Sequence, residues 1–347
     1  MKKSTAPAYL LKADEGHKLS FHQAEITLKA TRDQSAELVE IVTVLAAAGF
    51  KLPPHRHVKT HKSLFVLSGE LLLGFADKTF HLKEGDFGHI PKGIAHQIEY
   101  VSPATKALYF SGPGGVASLF NALSQNEKAG KEDVYSVSDE VDFQLVDGFQ
   151  AALPAEKVGP ITRPDGTQPY AIGKGGGEHL ILEDQLQTFL ARQNNTDGQF
   201  LVVLTQGPKG NAIIQHYHKL HTECFFALEG NMTMWNEGEP VPLNPGDFLH
   251  VPPYTKHSYR LDSPYTRFVG LLTPGLFEPF FDAICTPHPT GILPQEPGPV
   301  RIDRVLRQYG QLDLYFVSPP PDNSMNPLQA TGVRLSFWLA GKFASKK

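Results

Sequence analysis

The chain has 347 residues, 41% of them hydrophobic, with 31 Gly and 28 Pro and a net charge of −4. This length is about two ordinary domains, and so much apolar residue supports buried cores and excludes disorder, which goes with low apolar content and high net charge. A mildly acidic chain without a basic block is a poor match for nucleic acid, because phosphate neutralisation needs clustered Lys and Arg, and no run of roughly 18 apolar residues marks a membrane span.

In chain order, the N-terminus carries Lys2 and Lys3, but Lys12, Asp14 and Glu15 interrupt the apolar stretch that a secretory leader requires. With only Cys224 and Cys285 in the chain, a disulfide framework is excluded and a reducing, cytoplasmic location is expected. Short apolar runs at 63–67 and 71–75 read as strands, joined by a Ser-Gly turn. Glu84-Gly85-Asp86 is the next turn, before Phe87-Gly88-His89-Ile90-Pro91. Helical periodicity follows at 115–123, and the polar segment 126–164 reads as a connection without a counterpart elsewhere.

The same order then recurs. At one unchanging offset of 161, His55, His57 and His96 become His216, His218 and His257. Gly69 becomes Gly230, Gly85-Asp86-Phe87 becomes Gly246-Asp247-Phe248, His89 becomes His250, and Tyr9 becomes Tyr170. A period this long exceeds the roughly 20–50 residues of solenoid repeats, so each copy is expected to be a domain, residues 1–145 and 146–347. Strands at regular spacing with Gly and Pro turns predict an all-β chain of sandwiches or barrels with a few short helices. Near the C-terminus, 318–324 reads as a loop and 333–339 as a terminal strand.

The second copy carries the chemistry. His216 and His218, two apart on a strand, project to one face. Glu223 opens the next strand, and His257 returns after the Pro245-Gly246-Asp247 turn. Three imidazoles and a carboxylate meeting inside an apolar barrel describe a metal site with room for substrate. Met232, Met234 and Trp235 read as core or pocket wall. His89 and His250 read as hydrogen-bonded structural residues, and Cys224, next to Glu223, as packing that points away from the metal.

These residues resemble the cupin signature: His-X-His, four residues, Glu, six residues and Gly, then a Gly-Asp turn, Pro and a last His. The resemblance covers both halves. In the second, the His216-Tyr217-His218 block, 229–235, 243–252, 257–263 and 274–281 resemble the bicupin quercetin 2,3-dioxygenases. It implies two tandem jelly-roll β-barrels, a divalent transition metal held by His216, His218, Glu223 and His257 (iron first, with Mn, Ni, Co or Cu as alternatives), and a homodimer. It also implies a small aromatic substrate and O2, with the central ring of a flavonol opened, carbon monoxide released, and Glu223 as the catalytic base. A diverged bicupin acting as another dioxygenase, isomerase or decarboxylase is the alternative, and a non-catalytic binding protein the next.

The first copy departs from the pattern. His55, His57 and His96 are in place, but Lys62 stands where Glu223 stands in the second. An ammonium has no lone pair to offer a metal, so a weaker site is expected there. His61 is beside Lys62, but its counterpart Thr222 does not point to a liganding position.

Overall fold

The computed structural model describes residues 7–133, 135–137 and 141–344; the Lys2–Lys3 pair and the two outer domain limits lie outside the described residues. The chain builds two jelly-roll units of two sheets each. The first combines a seven-stranded and a six-stranded sheet, the second an eight-stranded and a five-stranded one. Strand for strand the halves correspond: His61–Ser68 with Thr222–Glu229, Phe87–Ile90 with Phe248–Val251, His96–Tyr100 with His257–Leu261, and Thr105–Gly112 with Thr266–Thr273.

The large sheets are covered on both faces, which is why their strands read as continuous apolar runs rather than alternating ones. One face lines its own unit. The other joins a shared core in which Ile41, Phe65, Leu108 and Phe110 of the first half meet Val202, Cys224, Phe226 and Val269 of the second. The halves also exchange strands. Tyr9–Leu11 pairs with Phe248–Val251, placing Tyr9 opposite His250. Tyr170–Ile172 pairs with Phe87–Ile90, placing Tyr170 opposite His89. Tyr9 stacks on His250 at 4.9 Å, while His89 bonds Ser63 Oγ at 2.8 Å and the Asn195 carbonyl at 3.0 Å. The repeated Tyr and His thus belong to the joint between the halves.

The hairpin between His61–Ser68 and Glu70–Gly74, and its counterpart between Thr222–Glu229 and Met232–Asn236, turn on Gly69 and Gly230, at φ 77° and 69°. A Cβ there would come within 2.6 Å of Thr105 Oγ1 in the first turn and 2.2 Å of the Tyr265 carbonyl in the second, so only glycine fits. In the Gly-Asp turns, Asp86 accepts from the Lys83 N–H at 2.8 Å and Asp247 from the Asn244 N–H at 3.0 Å.

Two sequence expectations are corrected. Residues 333–339 are not a strand: they lie in a helix, Pro327–Ala344. Asn326 caps it, accepting from the Gln329 N–H at 3.0 Å while Gln329 Oε1 accepts from the Asn326 N–H at 3.1 Å, with Pro at the first helical position. That capping box outweighs the alternating pattern of Val333, Leu335, Phe337 and Leu339, of which only Phe337 is buried. Segment 126–164 does have a counterpart. Its strand Gln144–Leu145 joins Lys51–Arg56, just as Tyr315–Ser318 joins Gln215–Tyr217 in the second half. A further short strand, Glu156–Lys157, runs parallel to Thr79–Lys83. The helices are α1 (Val116–Lys128), which covers the first unit, and α2 (Glu278–Ile284), α3 (Ile302–Gln308) and α4 (Pro327–Ala344), which roof the second.

Candidate metal centre

His216 lies on strand Gln215–Tyr217 and pairs with His257 on the neighbouring strand, which brings their rings to 4.4 Å. His218 follows at the strand end, its ring 5.0 Å from His216 and 5.2 Å from His257. All three imidazoles have their Nδ1 tied down: His216 donates to the Ile214 carbonyl and His257 to the Thr255 carbonyl, both at 3.0 Å, and His218 to the Asp313 carbonyl. With Nδ1–H spent on carbonyls, each Nε2 lone pair faces inward, the arrangement by which outer hydrogen bonds fix metal-binding imidazoles.

Glu223 completes the cluster. Its Oε2 is 3.1 Å from His257 Nε2, and its Oε1 is 3.6 Å from both His218 Nε2 and His221 Nε2. A carboxylate oxygen and an imidazole lone pair this close are two acceptors, so a proton or a cation has to lie between them. The His218 and His221 Nε2 atoms are buried without a hydrogen-bond partner. Donor atoms of His216, His218 and His257 lie within 4.8 Å of one another, as do those of His218, His221 and Glu223. The donor set fits a divalent transition metal: neutral imidazole and carboxylate together suit Fe and Mn as well as Zn. Burial, then the neighbouring His257, pushes His216 down to about 3. The Glu223 carboxyl is held well below the usual range: burial opposes this, but His218, His221 and His257 outweigh it.

The sequence reading missed His221 and Asp313. His221 Nδ1 bonds the Asp313 carboxylate at 2.8 Å, and that carboxylate also accepts from the N–H groups of Lys219 and Leu220 at 2.9 and 2.8 Å. Burial disfavours a charged His221, yet Asp313 and Glu223 raise its pKa overall. Asp142 plays the same part in the first half, accepting from Val58 and Lys59 at 2.9 and 2.8 Å and, through its carbonyl, from His57 Nδ1. The two aspartates are 171 apart rather than 161, so the repeat register hides them.

The first half keeps the ligand geometry in part. His55 and His96 donate Nδ1 to the carbonyls of Pro53 and Ile94 at 2.8 and 3.0 Å. Their rings are 4.2 Å apart, but His57 lies 6.3 Å from His96, wider than in the second half. Lys62 pairs across to Ile90 and Ser111 where Glu223 pairs to Val251 and Leu272. Its Nζ stands 3.1 Å from His55 Nε2, and burial pushes its pKa down to about 7. Among the described residues the first half holds no group of donors as close as the second's. His61 points away, to Asp197 at 3.2 Å.

A cavity of about 140 Å³ opens on the second cluster, with His216, Glu223 and His257 in its wall and Phe225, Phe268, Phe280, Phe281, Leu314 and Phe337 around it. Phe277 packs on His218 and His221 at 4.5 and 4.8 Å. Cys224 belongs to the core between the halves.

The cupin domain family matches residues 41–111 and 202–266. The chain is 39% identical to the quercetin 2,3-dioxygenase of Bacillus subtilis (strain 168) over 322 residues, 90% of this chain and 96% of that protein. Against the quercetin 2,3-dioxygenase of Aspergillus japonicus it is 29% identical over 126 residues, 34% of this chain and 36% of that protein. Among solved structures, oxalate decarboxylase from Bacillus subtilis shares the fold, with a TM-score of 0.50, 14% identity, and coverage of 78% of this chain and 77% of that one. No described helix is long and apolar enough to cross a membrane. By a relationship that runs nearly the length of both proteins, the chain belongs to the quercetin 2,3-dioxygenase family of the cupins.

Proposed function

We propose that the protein cleaves the heterocyclic ring of a flavonol with O2, releasing carbon monoxide, and that the second of the two units read from the sequence, 146–347, does this chemistry. The observation that carries the reading is the inward-facing trio of Nε2 atoms beside the Glu223 carboxylate, at the wall of an apolar cavity. His216, His218, Glu223 and His257 are the residues that would hold the metal, with iron our first choice because imidazole and carboxylate donors are mixed. When bound, a divalent ion supplies Lewis acidity that favours the ionised form of a substrate hydroxyl.

The remaining work falls to side chains. Glu223 accepts the hydroxyl proton at a carboxylate oxygen, the base position that its place in the cavity wall allows. Asp313 holds His221, whose Nε2 faces the other carboxylate oxygen at 3.6 Å. The phenylalanine walls exclude water from an electron-rich ring while O2 reacts with it. In the first unit, 1–145, His55, His57 and His96 with Lys62 make the weaker metal site. We read the protein as a cytoplasmic homodimer, the first from its cysteine usage and the second from its family.

Anaerobic addition of quercetin to the metal-loaded protein tests the reading. The flavonol absorption band shifts as the hydroxyl ionises, and admitting air releases carbon monoxide. Oxygen uptake without carbon monoxide contradicts it.

A further inference from the structure

We infer that the cavity selects sparsely hydroxylated flavonols over polyhydroxylated ones. This rests on the flavonol reading above and concerns the part of the cavity away from the metal ligands.

Apart from the ligands, the polar side chains that reach the wall are Gln187, Thr205 and Tyr259. They are already engaged. Thr205 Oγ1 donates to Gln187 Oε1 at 2.6 Å across paired strands, and Tyr259 Oη donates to Gln185 Oε1 at 2.7 Å. A hydroxyl at that end finds at most the leftover capacity of a satisfied pair. Apart from Cys224 and Gly270, the remaining wall is phenylalanine, leucine, isoleucine and valine.

Size sharpens the point. A cavity of about 140 Å³ is close to the roughly 150 Å³ that takes up benzene in an engineered apolar site, so in this conformation it takes one ring closely. A hydroxyl on that ring leaves water for no more than the leftover capacity of those pairs, which is unfavourable. An apolar pocket rejects an added hydroxyl by up to about 10²-fold.

The test uses the full-length, metal-loaded protein with 3-hydroxyflavone, galangin, kaempferol, quercetin and myricetin, a series of increasing hydroxylation. Anaerobic titration gives Kd and oxygen uptake gives kcat/KM. Affinity and kcat/KM are expected to fall from 3-hydroxyflavone to myricetin, with at least one step of about 10-fold. The variant Val203→Thr places a hydroxyl on the cavity wall two residues from Thr205, and is expected to raise quercetin relative to galangin in both measures. Myricetin bound and cleaved as well as 3-hydroxyflavone overturns the inference while leaving the flavonol reading intact. A protein that binds none of the series overturns both.

Discussion

Lys62 Nζ lies 3.1 Å from His55 Nε2, and so puts a donor against the atom that would ligate a metal. In the second unit, the matching position gives Glu223, a carboxylate 3.1 Å from His257 Nε2. That exchange, together with the wider spacing of His57 and His96, makes the second unit the better match for a divalent ion. After mild chelation the protein is expected to retain about one tightly held ion per chain by elemental analysis. Lys62→Glu is expected to raise retention toward two, and two equally tight ions in the unaltered protein would contradict the difference between the units.

Asp313 orders the loop that carries His218 and His221, through two backbone N–H groups and one imidazole. Asp313→Ala removes those carboxylate contacts. Loss of such an outer partner costs about 10–100-fold in metal affinity, so competition with a chelator should show a weakening of that size. Asp142→Ala, at the equivalent place in the first unit, should leave the tight ion unaffected.

Protons compete poorly for His216 and His218 of the second cluster. Burial, then His257, holds His216 near 3, and burial also depresses His218. A lowered imidazole pKa keeps the lone pair free as the pH falls. Metal is therefore expected to stay bound below the free-imidazole range near 6.5, and to leave only at distinctly more acid pH. Metal content measured after dialysis across pH 4 to 7 checks this; release centred near 6.5 would contradict it.

The 18-residue helix α4 has one buried side chain, Phe337. Its ring stacks on Phe316 at 4.6 Å and meets Tyr309 edge-on at 5.3 Å, and it closes one side of the cavity. Phe337→Ala is expected to loosen the roof, so that limited proteolysis cuts faster in loop 319–326 while the β units stay folded. Unchanged cleavage would show that other contacts hold the helix.

The sequence made the duplication, the β architecture and the three histidine candidates legible, because those features repeat at one offset and at strand spacing. Glu223 has no counterpart in the first half, where Lys62 stands, and was legible from its spacing after His218 in the cupin signature. Asp313 was not, since its partner Asp142 is displaced by ten residues from the repeat register and its role depends on a strand returning from outside the repeat. His221 lay in view between His218 and Glu223, but only the Asp313 bond gives it a role. Helix α4 was misread because alternation at 333–339 suits a strand, and the capping pair of Asn326 and Gln329 lies before the apolar pattern begins.

Steady-state turnover of a flavonol by Glu223→Gln and Lys62→Ala, with metal content measured for each, is the direct test of which unit does the chemistry. Glu223→Gln keeps the size of the side chain and removes the base, a change that typically costs about 10²–10⁴-fold in rate. Lys62→Ala, like His55→Ala, is expected to keep most of the activity. A Glu223→Gln protein that turns over normally, beside a Lys62→Ala protein that does not, would contradict the assignment and place the reaction in the first unit.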